Sequence, residues 1–396
     1  MGNGEWGTGN GREMKRLQYA MVGGAAGSFI GPIHRMAVRM DDLADLVAGC
    51  FSRDPSANAA TGAKCAVAPE RVYPDWRSLI EAERGKIDFL SVVTPNDSHY
   101  EIAKAALESG MDVVCEKPLS LSLDEAEELS RISAENGRFL AIPFTYSGFP
   151  MVKLARDLVA KGELGTICKV VLEYQQGSFR KIDFTKPLDK RNAWKMNPAR
   201  SGRSCVVADI GVHAFHLVEY VTGLEADRIL ADLSSYAPGN ALDDDASVLM
   251  RLKPANSAGT VPAVVPKASI VISKIATGEE NGVRLRVYGD KASLFWNQEA
   301  PNYLSVKYPF GPEKTYKRKA PYIAEESEAC NRASRIPAGH HEGFIEAFAN
   351  IYDEFCASVQ DRQPHDFPGP REGVRTMRFV EAALKSNAAG NVWERV

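Results

Sequence analysis

The sequence predicts an α/β unit built on a doubly wound parallel sheet, followed by an α+β unit with an open, mostly antiparallel sheet. Three observations carry this. Residues 17–145 alternate short apolar runs with amphipathic helical stretches, the pattern of parallel strands joined by right-handed crossovers. Beyond about residue 148, strand-like runs follow one another directly, with turns such as Gly289-Asp290, as in antiparallel sheets. The length, 396 residues, exceeds one ordinary domain and suits two. The expected division is a flexible leader over 1–16, a first domain over 17–145 and a second over 146–396.

The leader, MGNGEWGTGNGREMKR, is Gly-rich and polar and has no secretory core. Residues 17–22 form a short apolar run bounded by glycines, the first strand. Ile30, Ile33 and Ala37 then share one helical face. ADLVAGCFS is a second strand, PERVYPDWRSLIEAE leads into a helix, and IDFLSVVTP is a third strand. SHYEIAKAALESG is a helix stopped by Gly110, and MDVVCEKP is the fourth strand. In SLDEAEELSRISAENG, Ser122 and Glu125 make a capping box, and RFLAIPFTY is the fifth strand.

In the second part, a helix is expected over 150–161. Strands are expected near 167–176, 227–236, 245–252, 267–276, 282–289, 291–297 and 302–307. CVVADIGVHAFHLVEYVTG is helical in its second half, 253–266 is a mobile hairpin loop, and GHHEGFIEAFANIYDEFCASV and GPREGVRTMRFVEAALKSNAAG are closing helices.

Apolar residues make up 44%, charged residues 25%, and net charge is −3, which argues against a nucleic-acid partner. No apolar run reaches the ~18 residues of a membrane span. Seven scattered cysteines with no C-x-x-C pair fit reduced thiols, and hence a cytoplasmic protein.

VGGAAGSFIG, residues 22–31, joins the first strand to the first helix. Backbone N–H groups at such a turn face an anion, and glycines let the chain approach a pyrophosphate. The strict G-x-G-x-x-G spacing is absent. A tight connection is the plainer reading, but the first βα turn of an alternating pattern is where a dinucleotide sits. Gly23, Gly24, Gly27, Ser28, Phe29 and Ile30 are therefore candidate cofactor contacts. At the end of the second strand, where NAD enzymes carry an acidic residue, the chain reads Ser52-Arg53. A hydroxyl beside a guanidinium suits a 2′-phosphate and favours NADP. The alternative is a surface Arg53 with Asp54 as the acidic partner, which leaves NAD open.

Glu116 and Lys117 end the fourth strand, on the edge that faces the ligand crevice of an open parallel sheet. Asp209, His213 and His216 share one helical face. Three readings stay open for them: an acid–base pair in which Asp209 orients His213, a metal site, and core histidines.

GGAAGSFIGPIHR, VVTPNDSHYEIAKAALESGMDVVCEKPLS and RSCVVADIGVHAFHLVEYVTG together resemble the Gfo/Idh/MocA oxidoreductases, NAD(P)-dependent dehydrogenases of sugars, inositols and related polyols. The resemblance covers almost the whole folded chain. It implies a Rossmann domain and a substrate domain, with Lys117, Asp209 and His213 as a catalytic triad and no metal. It also implies that Pro118, often cis in the family, fixes the angle of Lys117. Thr94, Pro95, Asn96 and His99 match the loop that runs along the cofactor. NAWKMNPARSG matches the stretch lining the sugar pocket, placing Trp194 and Lys195 there as substrate contacts; Tyr146, in the departing motif FTYSGFP, is a further candidate for substrate binding. His340, before a closing helix, is a further candidate over the sugar. Ala25, His216 and FTYSGFP depart from the family's common pattern. The implied reaction transfers a hydride between a secondary alcohol of a sugar, glycoside or inositol and the nicotinamide. Alternatives are a redox-assisted glycosidase and a non-catalytic nucleotide- or sugar-sensing regulator. A homodimer or homotetramer is expected.

Overall fold

The computed structural model describes residues 16–188, 193–255 and 265–396. The expected leader, apart from Arg16, and the centre of the expected loop at 253–266 lie outside the described residues.

Five strands, β1 (Leu17–Gly23), β2 (Ala44–Cys50), β3 (Phe89–Val93), β4 (Asp112–Cys115) and β5 (Leu140–Ala141), pair in parallel in the order β2-β1-β3-β4-β5. The helices between them are α1 (Ile30–Met40), α2 (Pro55–Lys64), α3 (Trp76–Glu83), α4 (His99–Glu108) and α5 (Leu123–Glu135). Side chains alternate across the pleat, so Ala20 and Val22 join the core under α3, α4 and α5. Leu17, Tyr19 and Met21 join a second core on the opposite face. With both faces covered, β1 is apolar from Tyr19 to Val22, and its one polar side chain, Gln18, is exposed near the strand start. Ser122 and Glu125 form the expected capping box on α5. α2 has no apolar stripe to announce it; Asp54, whose carboxylate accepts from Ala57 N–H at 2.8 Å, and Pro55 start it instead. β5 is shorter than expected. Ile142 N–H donates outside the sheet, to the Pro368 carbonyl at 2.9 Å, and Pro143 has no N–H to give. The chain then tightens into a 3₁₀ turn over Thr145–Gly148.

Counting helices of eight residues or more, the remaining ones are α6 (Pro150–Ala160), α7 (Val212–Thr222), α8 (Phe344–Asp361) and α9 (Pro370–Ala388). The second sheet comprises β6 (Ile167–Gln175), β7 (Leu224–Ser234), β8 (Asp245–Pro254), β9 (Lys267–Ser273), β10 (Gly282–Gly289), β11 (Ser293–Asn297), β12 (Tyr303–Lys307), β13 (Lys314–Lys317) and β14 (Glu394–Arg395). Its order is β13-β12-β11-β10-β6-β9-β8-β7-β14. Only β6 and β9 pair in parallel; the other pairs are antiparallel. β13 and β14, absent from the sequence expectation, are short edge strands rich in charged residues, a composition that resists further pairing.

α6, α7 and α9 cover one face of this sheet. α8 does not join them. Its Phe348, Tyr352 and Phe355 share the second core of the first sheet, with Phe355 edge-on to Phe89 at 5.3 Å. The two sheets fall on either side of residue 146, but α8 returns to the first.

Candidate active site

The carboxyl ends of β1, β3 and β4 lie along one edge of the first sheet, the edge at which open parallel sheets form a ligand crevice. Gly23, Gly24 and Gly27 have φ of +89°, +78° and +87°, backbone that favours glycine. A Cβ on Gly23 would sit 2.7 Å from the Val93 carbonyl oxygen, and one on Gly31 would sit 2.4 Å from Gly24 Cα. The glycines thus let α1 lie against the strand end, with its N-terminus toward the turn. Ser28 Oγ accepts from Gly31 N–H at 3.2 Å, and Phe29 is exposed just before Ile30 opens the helix. This cradle, which side chains would fill, fits a dinucleotide pyrophosphate.

At the end of β2, Ser52 Oγ accepts from Asp54 N–H at 3.1 Å, and Asp54 is committed to capping α2. Arg53 is exposed. After β3, Ser98 Oγ donates to Thr94 Oγ1 at 2.8 Å, Pro95 precedes a 3₁₀ turn, and Asn96 donates to the Ser201 carbonyl at 3.0 Å.

His99, expected to touch the cofactor, is fully buried instead. Its ring lies 2.9 Å from the Thr94 carbonyl and 2.8 Å from the Pro118 carbonyl. Burial presses its pKa down despite these acceptors, and the ring lies between the two crevice loops. Glu116 likewise turns inward. It meets His34 of α1 at 2.8 Å, and His34 meets Tyr352 of α8 at 2.6 Å. Burial alone would raise the Glu116 pKa; His34, Lys117 and His99 together outweigh it and keep the carboxyl below its usual range. Glu116 also accepts from Lys117 N–H at 3.2 Å. Both residues hold loops in place; neither is a free contact in the crevice.

Lys117 is the residue they position, and the Lys117–Pro118 peptide is cis. Its Nζ lies 2.6 Å from Asp209 Oδ1 and 2.8 Å from the Asp209 carbonyl. Asp209 stands in a π-helical turn, Val207–Gly211, just before α7, a local irregularity common at functional sites. The turn is anchored from behind by Asp243, whose carboxylate accepts from the N–H groups of Cys205, Val206 and Val207 at 2.8–3.0 Å. Gly211 lets the turn lie close on β9, since a Cβ there would meet Ile272 at 2.8 Å. The residue leaving β9 is Lys274, whose buried Nζ lies 2.5 Å from Asp209 Oδ2. Lys195 Nζ approaches the same oxygen at 3.5 Å, beside the half-buried Trp194.

Burial pushes the Asp209 carboxyl up, but Lys117, Lys195 and Lys274 push back harder and hold it well below the usual carboxylate range. Burial pulls Lys274 down, and Asp209 reverses this and raises it. Asp209 also pulls Lys195 upward, yet burial with Lys274 and Lys117 outweighs that and its pKa is lowered.

The expectation that Asp209 orients His213 is corrected: the carboxylate is engaged by lysines. His213, on α7, is buried and lies edge-on to Tyr146 at 5.3 Å and to Phe144 at 5.8 Å. Its Nδ1 has no hydrogen-bond partner among the described residues, so no neighbour imposes a tautomer. Burial and Lys117 depress its pKa well below the ordinary value of 6.5, against the opposing pull of Asp209. His216 stacks on Phe144 at 4.6 Å, and burial lowers its pKa to about 3. It is a core histidine. No group of metal-binding side chains occurs among the described residues. His340 is not brought to this cluster. It lies in an exposed turn whose carbonyl accepts from Arg318. The buried Arg318–Glu342 pair, at 2.8 Å, ties that turn to the end of β13.

Sequence reasoning missed Lys274 and a polar group beside Tyr146. Tyr146 donates to Tyr174 at 2.7 Å, and Tyr174 to Asn281 at 2.9 Å. Burial raises the Tyr146 pKa to about 12 and Tyr174 higher still, so both are neutral donors. The signal for Lys274 was present: like Lys117, it is a lone Lys directly after an apolar strand.

The chain matches known proteins over most of its length. A family model described as oxidoreductase family, NAD-binding Rossmann fold, matches residues 17–144, and the companion C-terminal domain model matches 152–295. The chain is similar to the uncharacterized oxidoreductase YfiI of Bacillus subtilis, 32% identical over 393 residues, covering 96% of each chain. It superposes on an inositol dehydrogenase homolog from Azotobacter vinelandii complexed with NAD+, with TM-score 0.89 and 33% identity, covering 96% of this chain and 98% of that one. The complex of that homolog with NADH and myo-inositol gives TM-score 0.85 and 32% identity over the same shares.

Proposed function

Because the chain belongs to the Gfo/Idh/MocA family of NAD-binding oxidoreductases, we propose that it oxidises a secondary alcohol of a sugar, glycoside or polyol, reversibly, with Lys117, Asp209 and His213 as its catalytic groups. The observation that carries this is the Lys117 ammonium, fixed by Asp209 at the crevice edge of β4, beside the glycine turn and next to a neutral buried imidazole. The myo-inositol bound by the Azotobacter homolog supports a polyhydroxylated substrate.

The nicotinamide, when bound, supplies the hydride acceptor. The chain supplies the rest. His213 accepts the hydroxyl proton, since a neutral imidazole is a competent base and needs no prior deprotonation at pH 7. Lys117 donates to the reacting oxygen and stabilises its developing negative charge. Asp209 holds Lys117 in position. Arg53 stands exposed beside Ser52, while Asp54 is spent on a helix cap. This supports NADP over NAD, because a free guanidinium suits a 2′-phosphate. The open face of the second sheet supports a homo-oligomer.

The test is a panel of sugars, glycosides and inositols with NAD and NADP, read at the absorbance of the reduced nicotinamide. At least one polyol should reduce the cofactor. Lys117→Met should lower turnover about a hundredfold or more and leave cofactor affinity within a few-fold. Near-normal turnover in that variant would remove Lys117 from the reaction.

A further inference from the structure

The charges around Asp209 do not balance. Lys117, Lys195 and Lys274 converge on this one carboxylate, three basic side chains against a single acid, and the crowding with burial lowers the pKa of Lys195. No second carboxylate lies at ion-pair distance from these lysines among the described residues. His213, Tyr146 and Tyr174 are neutral, and burial raises the Cys205 thiol, 3.6 Å from Lys274, so that it stays protonated. Glu116 faces His34, and Asp243 faces the backbone N–H groups of the turn. Uncompensated like charges in a partly desolvated crevice are costly, and a ligand that neutralises them is bound the more strongly.

The three lysines are not equivalent. Lys117 and Lys274 sit at hydrogen-bond distance from separate Asp209 oxygens, with side chains 14% and 3% exposed. Lys195 is 3.5 Å away and its side chain is 34% exposed. It is the cation held most loosely and most open to a ligand.

Extending the dehydrogenase reading above, we infer that the substrate carries an oxyanion, a sugar carboxylate or a sugar phosphate, and that Lys195 is the residue that selects it. Asp209 keeps Lys117 and Lys274, while the oxyanion takes Lys195. An oxidised nicotinamide, itself cationic at the ring, adds to the positive excess and favours an anionic substrate further.

The test uses the full chain loaded with NADH. Calorimetric binding is measured for hexoses, the matching uronates and the matching 6-phosphates, alongside turnover with the oxidised cofactor. Uronates or phosphates should bind about tenfold or more tighter than the neutral parents, and added salt should erode the difference. The better of the two anions identifies the source of the charge. Lys195→Met should bring acid and neutral sugar within about threefold, Lys195→Arg should restore the preference, and both variants should melt near the wild type. Equal or tighter binding of the neutral sugars, no measurable binding of either anion, or a preference that survives Lys195→Met would each overturn the inference. The outcomes also separate from the dehydrogenase reading. Neutral sugars turned over as well as acids would sink only the anion. Acids bound through Lys195 without any cofactor reduction would sink only the dehydrogenase.

Discussion

Lys117 and Lys274 are the same device used twice: a lysine placed where a buried strand has just ended, so that its ammonium emerges at a crevice wall. The first was legible because parallel sheets have a known ligand edge. The second was not, because no such rule applies to the end of a strand in a mixed sheet. Asp209 and His213 were legible as residues but not as a pair. The π turn aims the carboxylate at the lysines, a deviation that helical spacing cannot foresee. The pH behaviour follows from this arrangement. Oxidation needs His213 neutral; its pKa is depressed, so the rate should already be flat at pH 7 and fall only as the pH drops below 6.5. His213→Ala should cost roughly two to four orders of magnitude in rate and abolish that acid limb. Asp209 raises the His213 pKa, so Asp209→Asn should shift the limb further toward acid and slow turnover by freeing Lys117. A limb that stays in place in Asp209→Asn would mean that another group titrates.

The elements are positioned by buried polar contacts that sequence patterns do not reveal. Glu116, His34, Tyr352 and Ser91 form one chain of hydrogen bonds linking β4, α1, α8 and β3. Helix positions were largely legible from apolar spacing, whereas α2 was missed because a cap and a proline, not a stripe, create it. Asp366, before α9, joins α6 in the same way, with Lys153 and Arg156 each at 2.8 Å. Burial pushes its carboxyl up, Lys153 and Arg156 push it further down, and the result is a folded-state pKa below the ordinary 3.8. A depressed carboxyl pKa contributes stability that is present above the unfolded-state value and is lost as pH falls through the folded one. Asp366→Asn should therefore destabilise the protein by about 2 kcal/mol at pH 7. The difference in melting temperature from the wild type should shrink as the pH falls below 3.8. A difference independent of pH would show that the contact is steric.

At the scale of the molecule, the alternation of β and α runs made the first sheet legible, and the run of consecutive strands made the second. The return of α8 to the first sheet was not legible, since an amphipathic helix does not declare which sheet it covers. The uncovered face of the second sheet exposes Leu249, Val271, Tyr288 and Tyr303, with Arg286 bridging to Glu173 at 3.0 Å between them. This is the face on which the proposed homo-oligomer would form. Sedimentation should show a dimer or larger assembly, and a Leu249→Lys, Val271→Lys double variant should sediment as a monomer with an unchanged fold. A wild-type monomer would remove the proposed oligomer.

The central claim is hydride transfer from a carbinol carbon at the Lys117 site. The most direct measurement gives the enzyme its best polyol with deuterium on that carbon, and follows the label by mass spectrometry. Deuterium should appear on the reduced nicotinamide, the labelled substrate should react more slowly, and Lys117→Met should label the cofactor at least about a hundredfold more slowly. Cofactor that stays oxidised and unlabelled while the substrate is consumed would contradict it.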